Sequence, residues 1–324
     1  MLKNINLNSA FIMYGPLMDA LKKQGFRAAD MHFHTRFSFD GLAHTRNVVK
    51  KADKMNIGLA VTDHNEFRGA EKICRQRKEL FIPGIEVSCH EGAHLLLYFY
   101  DLSEGKEFYE KEIKPQKKHN PYFMHTTYRE VLEISKKYNC LSSIAHPYLP
   151  ATGLMKVKIP KKDLDYIFKK IDFIEGLNGA LVREMNLKAL DLIKKHKKPV
   201  TAGTDGHMTV ELGRVLCFAQ GDDRESFFKS IKKNKNFILG KEESLLPDVY
   251  HHLKAELKYV RDAGELGWIK QELKLWGRRL QEKGEDILNI FHVHHHARTQ
   301  SVAKENFEAL KKNPHFKHVL KHRK

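Results

Sequence analysis

Asp30-Met31-His32-Phe33-His34-Thr35, with Ser38-Phe39-Asp40-Gly41 close behind it, is the stretch on which the fold of this chain turns. Apolar Met31 and Phe33 alternate with Asp30, His32 and His34, the pattern of a short strand. Side chains two apart on a strand share a face, so the two imidazoles stand side by side at a spacing that can chelate one metal ion. Asp30 lies on that same face, where it could orient a ligand histidine from behind. Asp40 sits where the chain turns at Gly41 and can fold back over the pair. A lone His-x-His is weak evidence, because surface or core histidines also produce it; partners further along must make the case.

Outward from this stretch a unit repeats: a short apolar strand, polar residues at its end, then an amphipathic helix. A helix near Arg46 to Met55 leads to the strand Gly58 to Thr62, which ends in Asp63-His64-Asn65. A helix near Gly69 to Lys78 leads to Leu80 through Ser88, followed by the strand His94 to Phe99. Residues 101–124 are polar and irregular, which predicts a loop or lid. Beyond it, a helix at Thr127 to Tyr138 leads to a strand ending in His146-Pro147. A helix near Lys162 to Lys170 leads to Phe173 to Leu177, ending at Asn178. The helix Met185 to Lys195 leads to a strand ending in Thr204-Asp205-Gly206-His207. Val215 to Phe218, a helix over Asp222 to Lys233 and Phe237 to Leu239 close the series. Such alternation implies a mostly parallel sheet or barrel. The polar residues gather at the carboxyl ends of the strands, the active-site face of β/α barrels.

Three segments follow from this. Residues 1–28 form an extension with a short helix opening at Pro16 and stopping at Gly25; residues 29–240 form the barrel; residues 241–324 form a helical appendage. The appendage carries 17 Lys and Arg against 12 Asp and Glu, and nine of the twenty histidines. Over all 324 residues the net charge is +17, which favours an anionic partner such as a phosphorylated metabolite, a nucleotide or a nucleic acid. A lysine-rich solvated surface is the plain alternative. The four cysteines, Cys74, Cys89, Cys140 and Cys217, are scattered without a CxxC pair, so neither a zinc knuckle nor a disulfide framework is indicated. No apolar run approaches the roughly 20 residues that span a bilayer, and the start shows no signal-peptide pattern. The chain is therefore expected in the cytoplasm, with no membrane partner.

The candidate ligands, in chain order, are His32, His34, Asp40, His64, Glu86, His94, His146, Asp205 and His207. All offer nitrogen or oxygen, a set suited to borderline divalent ions such as Zn, Mn or Fe(II). Nine side chains are too many for one ion and enough for two or three if carboxylates bridge. Glu86, flanked by histidine-bearing strands, is the natural bridge.

Taken together, Asp-x-His-x-His-Thr with Ser-x-Asp-Gly at 30–41, Thr62-Asp63-His64-Asn65, Pro83-Gly84-Ile85-Glu86, His94-Leu95-Leu96, Ala145-His146-Pro147 and Gly203-Thr204-Asp205-Gly206-His207 resemble the PHP (polymerase and histidinol phosphatase) family of metal-dependent phosphoesterases. The segment Glu175 to Asn178 is similar to the family's segment before its last motif. The resemblance implies a distorted (β/α)7 TIM-like barrel holding two to three divalent ions. By position, it implies one ion on His32, His34, Glu86 and Asp205, a second on Glu86, His94 and His146, and a third on Asp40, His64 and His207. His32, His34, Glu86, Asp205 and His207 would then form the catalytic centre. The chain departs from the family where Phe39 intervenes before Asp40, and where Gly206 stands in place of a common Ala. In such a site the ions activate water and neutralise phosphate charge, so no nucleophilic serine or cysteine is needed. Arg36 and Arg183 are candidate phosphate clamps, since guanidinium pairs with phosphate oxygens; a surface salt bridge is the alternative for each. His44, His90, His119 and His125 fall off the pattern, and the His292 to His296 run does not share one helix face.

The implied activity is phosphoester hydrolysis on a nucleotide, a short RNA or DNA end, or a small phosphorylated compound. One subgroup of similar layout acts on nucleoside 3′,5′-bisphosphates and trims oligonucleotides from the 5′ end; histidinol phosphatases form another. A nucleic-acid-binding protein with a weakly active barrel is the reading from a different class, and a complete ligand set argues against it.

Overall fold

The computed structural model describes residues 21–75, 80–118 and 124–242. The expected appendage, from residue 243 on, and the helix opening at Pro16, up to residue 20, lie outside the described residues. Residues 21–23 are helical, and Gly25 ends them at φ +77°.

The nine strands among the described residues are β1 (Phe26–Phe33), β2 (Gly58–Val61), β3 (Phe81–Ser88), β4 (His94–Phe99), β5 (Cys140–Ile144), β6 (Phe173–Asn178), β7 (Val200–Gly203), β8 (Val215–Gln220) and β9 (Asn236–Gly240). They form one sheet in the order β7-β6-β5-β4-β3-β2-β1-β8-β9. β1 to β3 run parallel, as do β5 to β7. The sheet curls until the residues after β7 meet β1. There Gly206 bridges Phe33, the Asp205 amide donates to the His32 carbonyl (2.7 Å), and the His34 amide donates to the Gly206 carbonyl (2.9 Å). Seven strands thus surround a packed interior, the expected distorted barrel. β8 pairs antiparallel with Phe26–Ala29, the first half of β1, and β9 pairs with β8.

Apolar pattern explains the packing. Every residue of β4 is buried, and Tyr98, fully buried there, donates its hydroxyl to the Met31 carbonyl across the interior (2.9 Å). The outer helices bury one face each: Val48 and Ala52 on Thr45–Met55, and Phe227, Phe228 and Ile231 on Arg224–Lys232. Thr127 and Asp223 start their helices with capping boxes closed by Glu130 and Ser226, which satisfy backbone N–H groups that no earlier turn can reach.

Two features differ from the sequence-based expectation. β4 runs antiparallel to both β3 and β5, because only Cys89–Ala93 separates it from β3 and no crossover helix fits there. Its first residue, His94, consequently pairs with Ser88 and lands on the rim where β1 to β3 end. The stretch expected as a loop or lid begins instead as a helix, Leu102–Phe108, continuing through a π turn at Tyr109–Ile113 to a short 3-10 turn at Gln116–Lys118. Gly105, Phe108, Tyr109 and Ile113 form its buried stripe. Among the described residues no helix is long and apolar enough to cross a membrane.

Candidate metal centre

All nine side chains singled out from the sequence converge on one end of the barrel. His32 on β1 and His34 just past its end are both fully buried. Glu86, also fully buried, lies at their centre. Its Oε2 is 3.1 Å from His32 Nε2, 3.2 Å from His34 Nε2 and 3.2 Å from His64 Nδ1. Its Oε1 is 3.1 Å from His94 Nδ1 and 3.0 Å from His146 Nε2. Asp205 Oδ1 stands 3.3 Å from His32 Nε2 and 3.1 Å from His34 Nε2. Asp40 Oδ2 lies 3.3 Å from His64 Nε2 and 3.1 Å from His207 Nε2.

Among the described residues, three groups have ligand atoms within 4.8 Å of one another: His32, His34, Glu86 and Asp205; His34, Asp40, His64 and His207; and His64, Glu86 and His94. The first equals the first set implied by the family resemblance. The second is the implied third set with His34 added. In the last, His64 stands where the resemblance implies His146, although His146 approaches the same Glu86 oxygen as His94.

Asp40 reaches the cluster despite Phe39. Ser38 Oγ donates to Asp40 Oδ1 (2.6 Å) and accepts from the His64 amide (3.2 Å), while the Phe39 ring stacks on His64 with centroids 5.1 Å apart. The loop is pinned by Leu42 and Ala43, whose amides donate to the His207 carbonyl (2.8 and 3.0 Å). Asn65, His146 and Asp205, each just past a strand, hold positive φ of +46°, +22° and +52°. Such conformations are unfavourable for residues with side chains, and their gathering at one rim marks a place where geometry outranks local stability.

The electrostatics have a consistent sense. Burial raises the proton affinity of Glu86, Asp205 and Asp40, but the surrounding histidines outweigh it and hold all three well below the usual carboxylate range. Burial lowers that of His34, yet hydrogen bonds to Asp205 and Glu86 prevail and push it up to about 10. At His94 burial prevails over the pull of Glu86, and the ring falls to about 3. A pocket of ionised carboxylates among imidazoles calls for positive charge.

The donor set fits divalent ions on the same ground. His32 Nδ1 faces Glu175 Oε1 at 3.1 Å. A carboxylate only accepts, so Nδ1 carries a hydrogen and Nε2 is the nitrogen left to hold a metal ion. Nε2 faces oxygens of Glu86 and Asp205 at 3.1 and 3.3 Å. Burial opposes a charge on this ring, but the carboxylates of Asp205, Glu86 and Glu175 outweigh it and raise its proton affinity well above the ordinary value; a divalent ion in place of that proton would meet one nitrogen and two carboxylate oxygens.

Asp30 does not play the expected role. Its carboxylate accepts from the backbone amides of His32 (3.3 Å), Thr204 (2.8 Å) and Gly213 (3.1 Å) and from the Thr204 hydroxyl, so it fastens the loop leading to Asp205 rather than a ring nitrogen. Glu175 stands behind His32 instead, and Asn178 joins it by donating to Glu175 Oε2 (2.9 Å) and Asp205 Oδ2 (3.1 Å). A carboxylate inside the buried strand Phe-Ile-Glu-Gly-Leu-Asn was the signal for both. Arg36 is exposed with Nη1 3.1 Å from His44 Nδ1, and half-buried Arg183 pairs with Glu242 at 3.5 Å.

A barrel whose strand ends carry several overlapping His and carboxylate ligand sets is the framework of a metal-dependent hydrolase. The PHP domain pattern matches residues 30–241, and the chain belongs to that family of metal-dependent phosphoesterases. It is a hydrolase of phosphoric ester bonds. The Thermotoga maritima protein named "Probable histidinol-phosphatase" is 25% identical over 220 residues, which cover 58% of this chain and 87% of that one. A two-domain protein from Bacteroides vulgatus, described as containing a predicted PHP-like metal-dependent phosphoesterase, shares the fold at a TM-score of 0.52 with 15% identity, over 71% of this chain and 70% of that chain. The lesion-specific endonuclease EndoQ of Pyrococcus furiosus gives a TM-score of 0.51 with 23% identity, over 66% of this chain and 57% of that chain.

Proposed function

We propose that the nine clustered side chains hold two or three divalent ions (Mn, Zn or Fe) and that the chain hydrolyses a phosphoester of a nucleotide or of a nucleic-acid end. The observation carrying this reading is Glu86, whose two oxygens stand within 3.2 Å of nitrogens from five histidines. A carboxylate so placed joins ligand sets that would otherwise be separate. Divalent ions bound there activate water at neutral pH and neutralise charge developing on phosphate oxygens. The chain supplies the rest: backbone hydrogen bonds between the end of β1 and the loop after β7 place His32, His34 and Asp205 together, and Ser38 aims Asp40 toward His64 and His207. Arg36 and Arg183 are the proposed guanidinium clamps for phosphate.

The nucleotide assignment is supported by the net charge of +17 and by the endonuclease among the proteins of like fold. Histidinol phosphate is the second substrate to weigh, favoured by the Thermotoga relative. A phosphate-release panel on metal-reconstituted protein separates them: a nucleoside 3′,5′-bisphosphate, a short 5′-phosphorylated RNA, histidinol phosphate and an aryl phosphate. Turnover concentrated on the first two supports the proposal. Turnover confined to histidinol phosphate would replace the substrate assignment, and release from none of the four would contradict the activity proposed.

A further inference from the structure

We propose that Glu175 is a positioning residue that sets the tautomer of His32 and holds together three ligand-bearing segments of the proposed metal centre. The side chain rises from β6 and is 1% exposed. Its Oε1 lies 3.1 Å from His32 Nδ1. Its Oε2 accepts from the His146 backbone amide (2.7 Å) and from Asn178 Nδ2 (2.9 Å). The same Asn178 amide group reaches Asp205 Oδ2 (3.1 Å). One buried carboxylate thus governs the ring of His32 on β1, the backbone of His146 after β5, held at φ +22°, and, through Asn178, the carboxylate of Asp205 after β7.

Every group facing Glu175 in this network is a donor, and that requirement is chemically exacting. A carboxylate offers acceptors on both oxygens; a glutamine amide offers one acceptor and one NH2. In Glu175→Gln the NH2 must therefore point either at His32 Nδ1 or at the His146 amide. In the first case Nδ1 becomes the acceptor, the hydrogen moves to Nε2, and Nε2 can no longer ligate. In the second, two donors face each other beside His146. Either way a near-isosteric change disables a ligand that it does not itself replace. Outer partners of metal-bound histidines act in this way, and their loss typically weakens metal affinity about 10- to 100-fold.

The inference rests on the proposed metal centre, and the test keeps the two separable. Zinc affinity of the full chain is measured by chelator competition, alongside thermal unfolding of the metal-free forms, for the wild type, Glu175→Gln and Glu66→Gln. Glu66 is also a buried carboxylate, but it pairs with Arg68 and Lys117, both at 2.9 Å. The expected result is zinc binding about 10- to 100-fold weaker in Glu175→Gln for at least one ion. Glu66→Gln should lower only the unfolding temperature. Unchanged affinity in Glu175→Gln, or an equal loss in Glu66→Gln, would overturn the role of Glu175 while leaving the metal centre intact. A wild type that takes up no zinc would overturn both. Should Glu175→Gln not fold, Asn178→Ala removes the donor shared by Glu175 and Asp205, together with the acceptor of the Ala180 amide, and leaves the Glu175 contacts to His32 and to the His146 amide in place. It should weaken zinc by about 10-fold, the lower end of that range, and no change there would equally defeat the proposal.

Discussion

His34 shows what the site demands of a single residue. Its ring is buried between Glu86 and Asp205, and in the metal-free protein its proton affinity rises from the ordinary 6.5 to about 10. A group that binds its proton more tightly when folded stabilises the fold fully below its unfolded value and loses that contribution as pH rises through its folded one. The metal-free protein should therefore lose unfolding temperature between pH 6.5 and 10. Over the same interval a divalent ion displaces the proton more easily, so metal affinity should rise with pH. Unfolding temperature and chelator competition across a pH series check both, and a metal affinity independent of pH would count against the ligand role of His34. The nine candidate ligands were legible in the sequence because each sits at a strand end in a recurring local pattern. Glu175 was legible as part of a family-like segment but not in its role, since its partner His32 is 143 residues away, and Asp30 was misjudged because facing the same side as His32 does not say which atom a carboxylate meets.

Among the elements, the helix Leu102–Phe108 is the most instructive. Its stripe of Gly105, Phe108, Tyr109 and Ile113 was masked in the sequence by the surrounding Lys and Glu and by a glycine that lowers helix propensity. The glycine is required by packing: a Cβ at residue 105 would collide with the Phe67 ring and come within 2.9 Å of Phe99. Gly105→Ala should accordingly destabilise the fold by about 1–3 kcal/mol through overpacking, despite its gain in helix propensity. A shift in urea midpoint at unchanged slope would show it; a stabilised variant would mean that this helix packs elsewhere. The direction of β4 was equally hidden. Leu-Leu-Leu-Tyr-Phe is apolar throughout and reads the same in parallel or antiparallel pairing, so only the short Cys89–Ala93 connection could have revealed it.

At the scale of the whole molecule, the barrel encloses carboxylates whose neighbouring histidines hold protons in the metal-free protein, and metal ions would take the place of those protons. Metal binding and folding should therefore be linked. Stripping the ions with a chelator should lower the unfolding free energy by about 2.7 kcal/mol for each ion otherwise present at 100 times its dissociation constant. Calorimetry with and without metal reads this directly, and identical unfolding curves would break the linkage. Alternating strand and helix through residues 29–240, with polar residues in constant phase at the strand ends, made a mostly parallel sheet or barrel legible, and the family resemblance implied the barrel. The contact that closes it was not legible, since it brings Gly206 to Phe33 across the whole domain.

The central claim, that Glu86 joins ligand sets for more than one ion, is tested most directly by the metal count per chain in native mass spectrometry, for reconstituted wild type and for Glu86→Ala. Three ligand groups meet at this end of the barrel, and Glu86 belongs to two of them. The account predicts two or three ions on the wild type and the loss of more than one from the single substitution. A wild type that holds no ion, or a Glu86→Ala chain that holds as many as the wild type, would contradict it.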